Sequence, residues 1–166
     1  VTYSQDKEDL KILKFFKNKK KGFYVDVGCF HPIKINNTYL LYKKNWRGIN
    51  IDTSKFSIEL FNYLRPDDLN FNCAVSNKDK KISFYYQKDH SVLNSINKST
   101  AAFHIKGKLK KKTLKGLKLD TIINKTKYKY QQIDFLDIDV EGADLKVLEG
   151  LSLKKYKPKL ICIRTT

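Results

Sequence analysis

The stretch Asp137-Ile138-Asp139-Val140-Glu141-Gly142 carries three carboxylates at a spacing of two, which in an extended chain puts them on one side near a strand's exit. Acids clustered in an apolar strand need donors, a cation or solvent, so this triplet could bind a hard metal, act as a base or hold a cofactor. Asp139 and Glu141 are the expected site residues, with Asp137 a structural partner of a neighbouring element. A further acid, Asp52, stands 24 residues past Gly28 and ends the run Ile49-Asn50-Ile51. There a carboxylate can accept hydrogen bonds from both ribose hydroxyls of an adenosine-containing cofactor, the alternative being a helix N-cap before Ser54. Gly28 lies in Asp26-Val27-Gly28-Cys29-Phe30-His31-Pro32, where it would let the backbone approach a ligand with Asp26 below it. Phe30 and Pro32 stand where a G-x-G-x-x-G loop would need more glycines, which disfavours a dinucleotide pyrophosphate. Asn72-Cys73-Ala74-Val75-Ser76 offers small and amide-bearing groups for an adenine edge and face.

These groups need elements that bring them to one place. Residues 1–21 predict an amphipathic helix, because Leu10, Ile12, Leu13 and Phe16 recur at helical spacing after the polar Ser4-Gln5-Asp6, with acids early, lysines late and Gly22 as the stop. Phe23 to Val27 reads as a buried strand, 37–44 as a helix and Ile49 to Asp52 as a second strand. A helix over 57–64 closed by Arg65-Pro66, a third strand over 70–75 and an edge strand over 81–87 follow. Periodicity fades over the polar stretch 89–112, which reads as a long loop, either substrate-facing or disordered. Order returns with a short helix within 117–124 that Asp120 could cap, an apolar strand over 133–140, a helix over 144–149 stopped by Gly150, and a last strand over 160–163. Strands alternating with helices predict an α/β fold, a doubly wound, mostly parallel Rossmann-like sheet that binds ligands outside its carboxyl ends where strand order reverses.

The chain has 166 residues, 41% of them hydrophobic, enough for one ordinary core and one domain. No apolar run is long enough to span a bilayer, and 1–21 is too charged for a signal peptide, so a soluble cytoplasmic chain without membrane association is expected. Cys29, Cys73 and Cys162 are odd in number and widely spaced, which predicts free thiols rather than disulfides or a zinc site. A net charge of +17 invites a polyanion. Yet only three of the 34 basic side chains, Arg47, Arg65 and Arg164, are arginine, leaving 31 lysines. Arginine is the better bidentate phosphate reader, so a solvated lysine surface is favoured over a nucleic-acid interface.

Taken in order, Tyr3-Ser4-Gln5 with Glu8-Asp9-Leu10, Gly22 to Gly28, His31-Pro32, Asn37-Thr38-Tyr39, Asn45 to Asp52, Arg65-Pro66, Asn72 to Ser76, Leu119-Asp120, Asp137 to Gly142 and Lys157 to Leu160 resemble the blocks of FkbM-type methyltransferases over nearly the whole chain. The resemblance implies a class I methyltransferase sheet, here lacking the last two strands, and S-adenosylmethionine as methyl donor to a hydroxyl of a sugar, glycan or small natural product. By that similarity Asp26 and Gly28 line the methionine part, with Cys29, Phe30, Asn37 and Thr38 around them. Asp52 and Thr53 hold the ribose, Asn72, Cys73 and Ala74 border adenine, and Asp139 serves both cofactor and transfer site. Asp139, Glu141 or His31 would take the acceptor's proton. Three departures stand out: Phe30-His31-Pro32 replaces a glycine-rich loop, Ala143 stands where a polar residue often follows the Glu-Gly pair, and Arg164 falls where an acid is usual. The competing readings are an RNA or polynucleotide methyltransferase, with Lys108, Lys110, Lys111 and Lys112 beside the polar stretch, and a binding module that has lost catalysis. An uncovered sheet edge would also admit an oligomer.

Overall fold

A computed structural model describes residues 1–86 and 110–164, with no side-chain detail for 84–86. The expected loop over 89–112 lies outside the described residues as far as 109, and its end, 110–112, is strand.

The elements in chain order are α1 (Glu8–Phe15), β1 (Phe23–Val27), α2 (Tyr39–Lys43), β2 (Arg47–Asp52), α3 (Lys55–Leu64), β3 (Leu69–Asn72), β4 (Ala74–Val75), β5 (Lys80–Tyr86), β6 (Lys110–Leu117), α4 (Leu119–Asn124), β7 (Phe135–Ile138), α5 (Asp144–Glu149), α6 (Leu153–Tyr156) and β8 (Leu160–Ile163). Five strands form one wholly parallel sheet in the order β3-β2-β1-β7-β8. The chain winds outward from β1 to β3 and then returns to the other side of β1, so the switch point lies between β1 and β7. A smaller sheet pairs β4 parallel and β5 antiparallel to β6. Among the described residues no helix is long and apolar enough to cross a membrane.

Each strand's alternation divides the large sheet into two faces. Phe23, Val25 and Val27 of β1 join Ile49, Ile51, Leu136 and Ile138 in an apolar core, covered by Leu119, Ile122 and Ile123 of α4, Val147 of α5 and Tyr156 of α6. The opposite face carries Tyr24 and Phe135 against Ile12, Phe16, Leu41 and Trp46. On that face the register aligns Asn70, Asn50, Asp26, Asp137 and Cys162, so one polar row crosses all five strands.

Several sequence expectations change in the folded chain. Helix α1 covers only Glu8–Phe15 of the expected 1–21, because the lysine-rich run after Phe16 has no apolar stripe to bury. Gly22 is not its stop. A Cβ there would lie 2.4 Å from the Trp46 ring, so Gly22 makes room for that indole beside β1. The single strand expected over 70–75 is two, β3 in the large sheet and β4 in the small one, with the chain changing partners at Cys73. Strand β6 went unrecognised because Lys110 to Leu117 alternates without an apolar face. Asp120 does not cap α4: it lies inside the helix, and its carboxylate accepts the Ser152 N–H at 2.8 Å. Ser152 in turn caps the unforeseen α6 by accepting from the Lys155 N–H. All three cysteines are free thiols, two of them buried.

Candidate functional site

The ends of β1, β2 and β7 enclose a cleft of about 320 Å³ at the switch point, within the size range of small-ligand sites. Its walls are sewn together by main-chain bonds: the N–H groups of Gly28 and Cys29 both donate to Ile51 O, and that of Asp139 donates to Val27 O at 2.9 Å. Gly28 has φ +81°, and a Cβ on it would lie 2.1 Å from Asp139 O. The close approach that demands glycine is therefore between the exits of β1 and β7, so any side chain here would force the two cleft walls apart.

Asp52 ends β2 and turns its carboxylate into the cleft. One oxygen accepts the Phe30 N–H at 2.9 Å and the other the Ser54 N–H at 2.8 Å. Burial raises its pKa, and the backbone donors Ser54, Phe30 and Thr53 work against that rise. The helix cap is Ser54, whose hydroxyl accepts the Ser57 N–H, and Asp52 braces that cap residue by accepting its N–H. The carboxylate is thus fixed in direction, and each oxygen keeps acceptor capacity for a ligand hydroxyl.

Asp26 and Asp137 sit opposite each other on β1 and β7, both almost fully buried. Desolvation lifts Asp26 to about 6, although Arg65, the Thr38 hydroxyl at 2.8 Å and the Asn36 amide at 3.3 Å favour its charged form. Asp137 is raised well above the usual carboxylate range, first by burial and then by the neighbouring Asp26, while Asn37 donates to it at 3.2 Å. Arg65 is completely buried, with 3.0 Å contacts to Asp68 from both Nε and Nη2. Its Nη1 reaches Asn36 Oδ1 and Thr38 Oγ1, so one guanidinium neutralises Asp68 and fixes the residues that hold Asp26.

On the far wall Asp139 pairs with Arg164, Nε to Oδ2 at 3.2 Å, and Arg164 Nη1 donates to Gln5 Oε1 at 3.0 Å. Burial raises Asp139 and Arg164 opposes that rise. Glu141 lines the same wall. Five carboxylates therefore face one cleft, and among the described residues Arg164 is the one Lys or Arg side chain lining it. Such a cleft favours a ligand carrying positive charge and offers bases beside it. No three His, Cys, Asp or Glu side chains among the described residues are grouped so as to hold a metal ion.

The cleft brings together Asp26, Gly28, Cys29, Phe30, Asn37, Asp52, Thr53, Cys73, Asp139 and Glu141 of the expected set. Asp137, taken from the sequence as structural, lines it as well. His31 does not: its Nδ1 accepts the N–H groups of Ile33 and Lys34, each at 3.0 Å, and burial and Lys34 lower its pKa. Thr38 lies beneath the lining as the donor to Asp26, Ala74 is buried, and exposed Asn72 donates to Asp52 O. Gln5 and Arg164 were missed as site residues, although both stood out in the sequence, Gln5 within the first matching block and Arg164 as a departure.

No curated protein and no solved structure matches the chain. A family model, the methyltransferase FkbM domain, matches residues 26–166, from the first cleft carboxylate through every strand of the sheet that follows it. The chain belongs to the FkbM methyltransferase family.

Proposed function

We propose that this chain is an S-adenosylmethionine-dependent O-methyltransferase acting on a hydroxyl of a sugar, glycan or small natural product. The observation that carries the reading is the acid-lined cleft at the β1/β7 switch point, with Asp52 braced at the end of β2. The residues fit the cofactor. Asp52 would accept both ribose hydroxyls, Ile51, Cys73 and Val75 give an adenine an apolar wall, and Asp26, Asn37 and Asp137 offer polar groups for the amino-acid part. When bound, S-adenosylmethionine supplies an electrophilic methyl group on a sulfonium centre. The chain's part is to hold the acceptor oxygen in line with that group, the effect expected to give most of the acceleration in such a displacement. Asp139 or Glu141 takes the hydroxyl proton as the new carbon–oxygen bond forms.

The 31 lysines leave the cleft free of lysine among the described residues, which weighs against an RNA acceptor threaded through it. Calorimetric titration with S-adenosylmethionine and S-adenosylhomocysteine, with NAD as control, tests the cofactor. Asp52→Ala should weaken binding about 10- to 100-fold, the worth of hydrogen bonds to a charged group. Equal affinity in the variant, or no binding by a wild-type chain shown to be folded, would sink the reading. Binding without turnover on any hydroxylated acceptor would point instead to a module that has lost catalysis.

A further inference from the structure

We propose that Arg164 reads an anionic group, a carboxylate or a phosphate, on the hydroxylated acceptor, and that Asp139 occupies Arg164 until the acceptor arrives. The inference rests on the methyl-transfer reading for its consequence but not for the binding itself.

Four observations carry it. In a chain with 34 basic side chains, Arg164 is the one that lines the cleft among the described residues, facing five acids. Beyond its pairing with Asp139, a neutral acceptor gives no reason for a guanidinium there, and a cationic cofactor gives less. Second, Arg164 is under-used. Nε meets one oxygen of Asp139 and Nη1 meets Gln5, and the guanidinium makes no other hydrogen bond among the described residues. Among the described residues three of its five N–H groups meet no partner, enough for the paired geometry that arginine makes with carboxylate and phosphate. Third, the pair is half-exposed, with side-chain exposures of 37% for Arg164 and 34% for Asp139. Ion pairs at that exposure are weak in water, so an incoming anion displaces Asp139 at little cost. By contrast the Arg65–Asp68 pair is wholly buried and saturated with partners, and cannot exchange. Fourth, Arg164 pairs directly with Asp139, one of the two proposed bases, inside the cleft that both line.

The exchange does two things at once. The acceptor's anionic group is held by Arg164, which orients its hydroxyl. Asp139 loses the cation that favours its charged form and becomes a stronger base. The hydroxyl proton then passes to an Asp139 oxygen, the oxygen's electron pair forms the bond to the methyl carbon, and the pair of the broken carbon–sulfur bond stays on sulfur. Atoms and charge balance without a further reactant.

The test is binding, measured by calorimetry with glucuronate, glucose 6-phosphate and glucose on the wild-type chain and on Arg164→Gln, Arg164→Lys and Asp139→Asn. At least one anion should bind at least tenfold more tightly than glucose, and the anion that does so identifies carboxylate or phosphate as the group read. Arg164→Gln should abolish the preference and Arg164→Lys should keep part of it, because a lysine retains the charge but not the planar fork. Asp139→Asn should tighten anion binding several-fold by removing the competitor. A wild-type chain that binds all three sugars alike, or an anion preference that survives Arg164→Gln with an unchanged melting temperature, overturns the proposal. A parallel titration with S-adenosylhomocysteine keeps the two readings apart: its failure alongside Arg164-dependent anion binding would remove the cofactor assignment and leave this one standing.

Discussion

The two faces of the parallel sheet are built from the same five strands, and only one of them buries charge beside its apolar residues. On one, Val25, Val27, Ile49, Leu136 and Ile138 are fully buried against α4, α5 and α6, and burial of apolar area stabilises the fold. On the other, Asn50, Asp26 and Asp137 lie side by side beneath the loop that precedes α2. Burial there opposes the fold, and Arg65 is the compensating charge that lets Asp68 and Asp26 stay inside. The contrast teaches that the pleat confines the buried charges to one face, while Val27 and Ile51 of the apolar face end at the cleft and line it too. The cleft opens where the polar row reaches the strand ends, so the charges that cost stability sit next to where a ligand would use them.

Removing Arg65 should break the polar face most severely. Arg65→Ala leaves Asp68 buried without its cation and frees Asn36 and Thr38, a loss of about 3–5 kcal/mol, with weakened S-adenosylhomocysteine affinity because the loop under Asp26 loses its anchor. Denaturant unfolding and calorimetry measure the two effects. Leu136→Ala on the apolar face should cost about 3 kcal/mol, a usual figure for a buried leucine truncation, while leaving ligand affinity unchanged in the fraction that remains folded. If it weakened binding as much as Arg65→Ala, the separation of the two faces would fail.

The smallest effect has the opposite sign. Both Asp26 and Asp137 have pKa values raised in the folded state, so between the unfolded carboxylate range near 4 and about 6 the native chain holds more protons than the unfolded one. The unfolding free energy therefore falls as pH rises through that window, and the penalty is fully present above it for Asp26. Asp137→Asn, which mimics the protonated form, should flatten this slope and raise stability at neutral pH by about 1 kcal/mol. Thermal melts from pH 4 to 8, a window chosen roughly around those values, decide it; a destabilised variant with the slope intact would show that the pair is compensated by groups other than those described.

Much of the site was legible before folding, because it depends on local order. The glycine after an apolar strand, the acid 24 residues later and the period-two acids from Asp137 to Glu141 are features of single segments, and segments of alternating strand and helix can assemble in few ways. The family match over residues 26–166 agrees with that reading of fold and reaction class. The rest depended on which strand lies beside which, and in what register. Asn70, Asn50, Asp26, Asp137 and Cys162 form one row only because five strands separated by up to dozens of residues align there. The break at Cys73, the space that Gly22 leaves for Trp46, and the pairing of Gln5 and Arg164, 159 residues apart, carry no local signal at all. Periodicity tells a residue which face of its own strand it takes; its neighbours, and hence its charge state and its chemistry, are set by packing between segments, and that the tertiary structure alone decided.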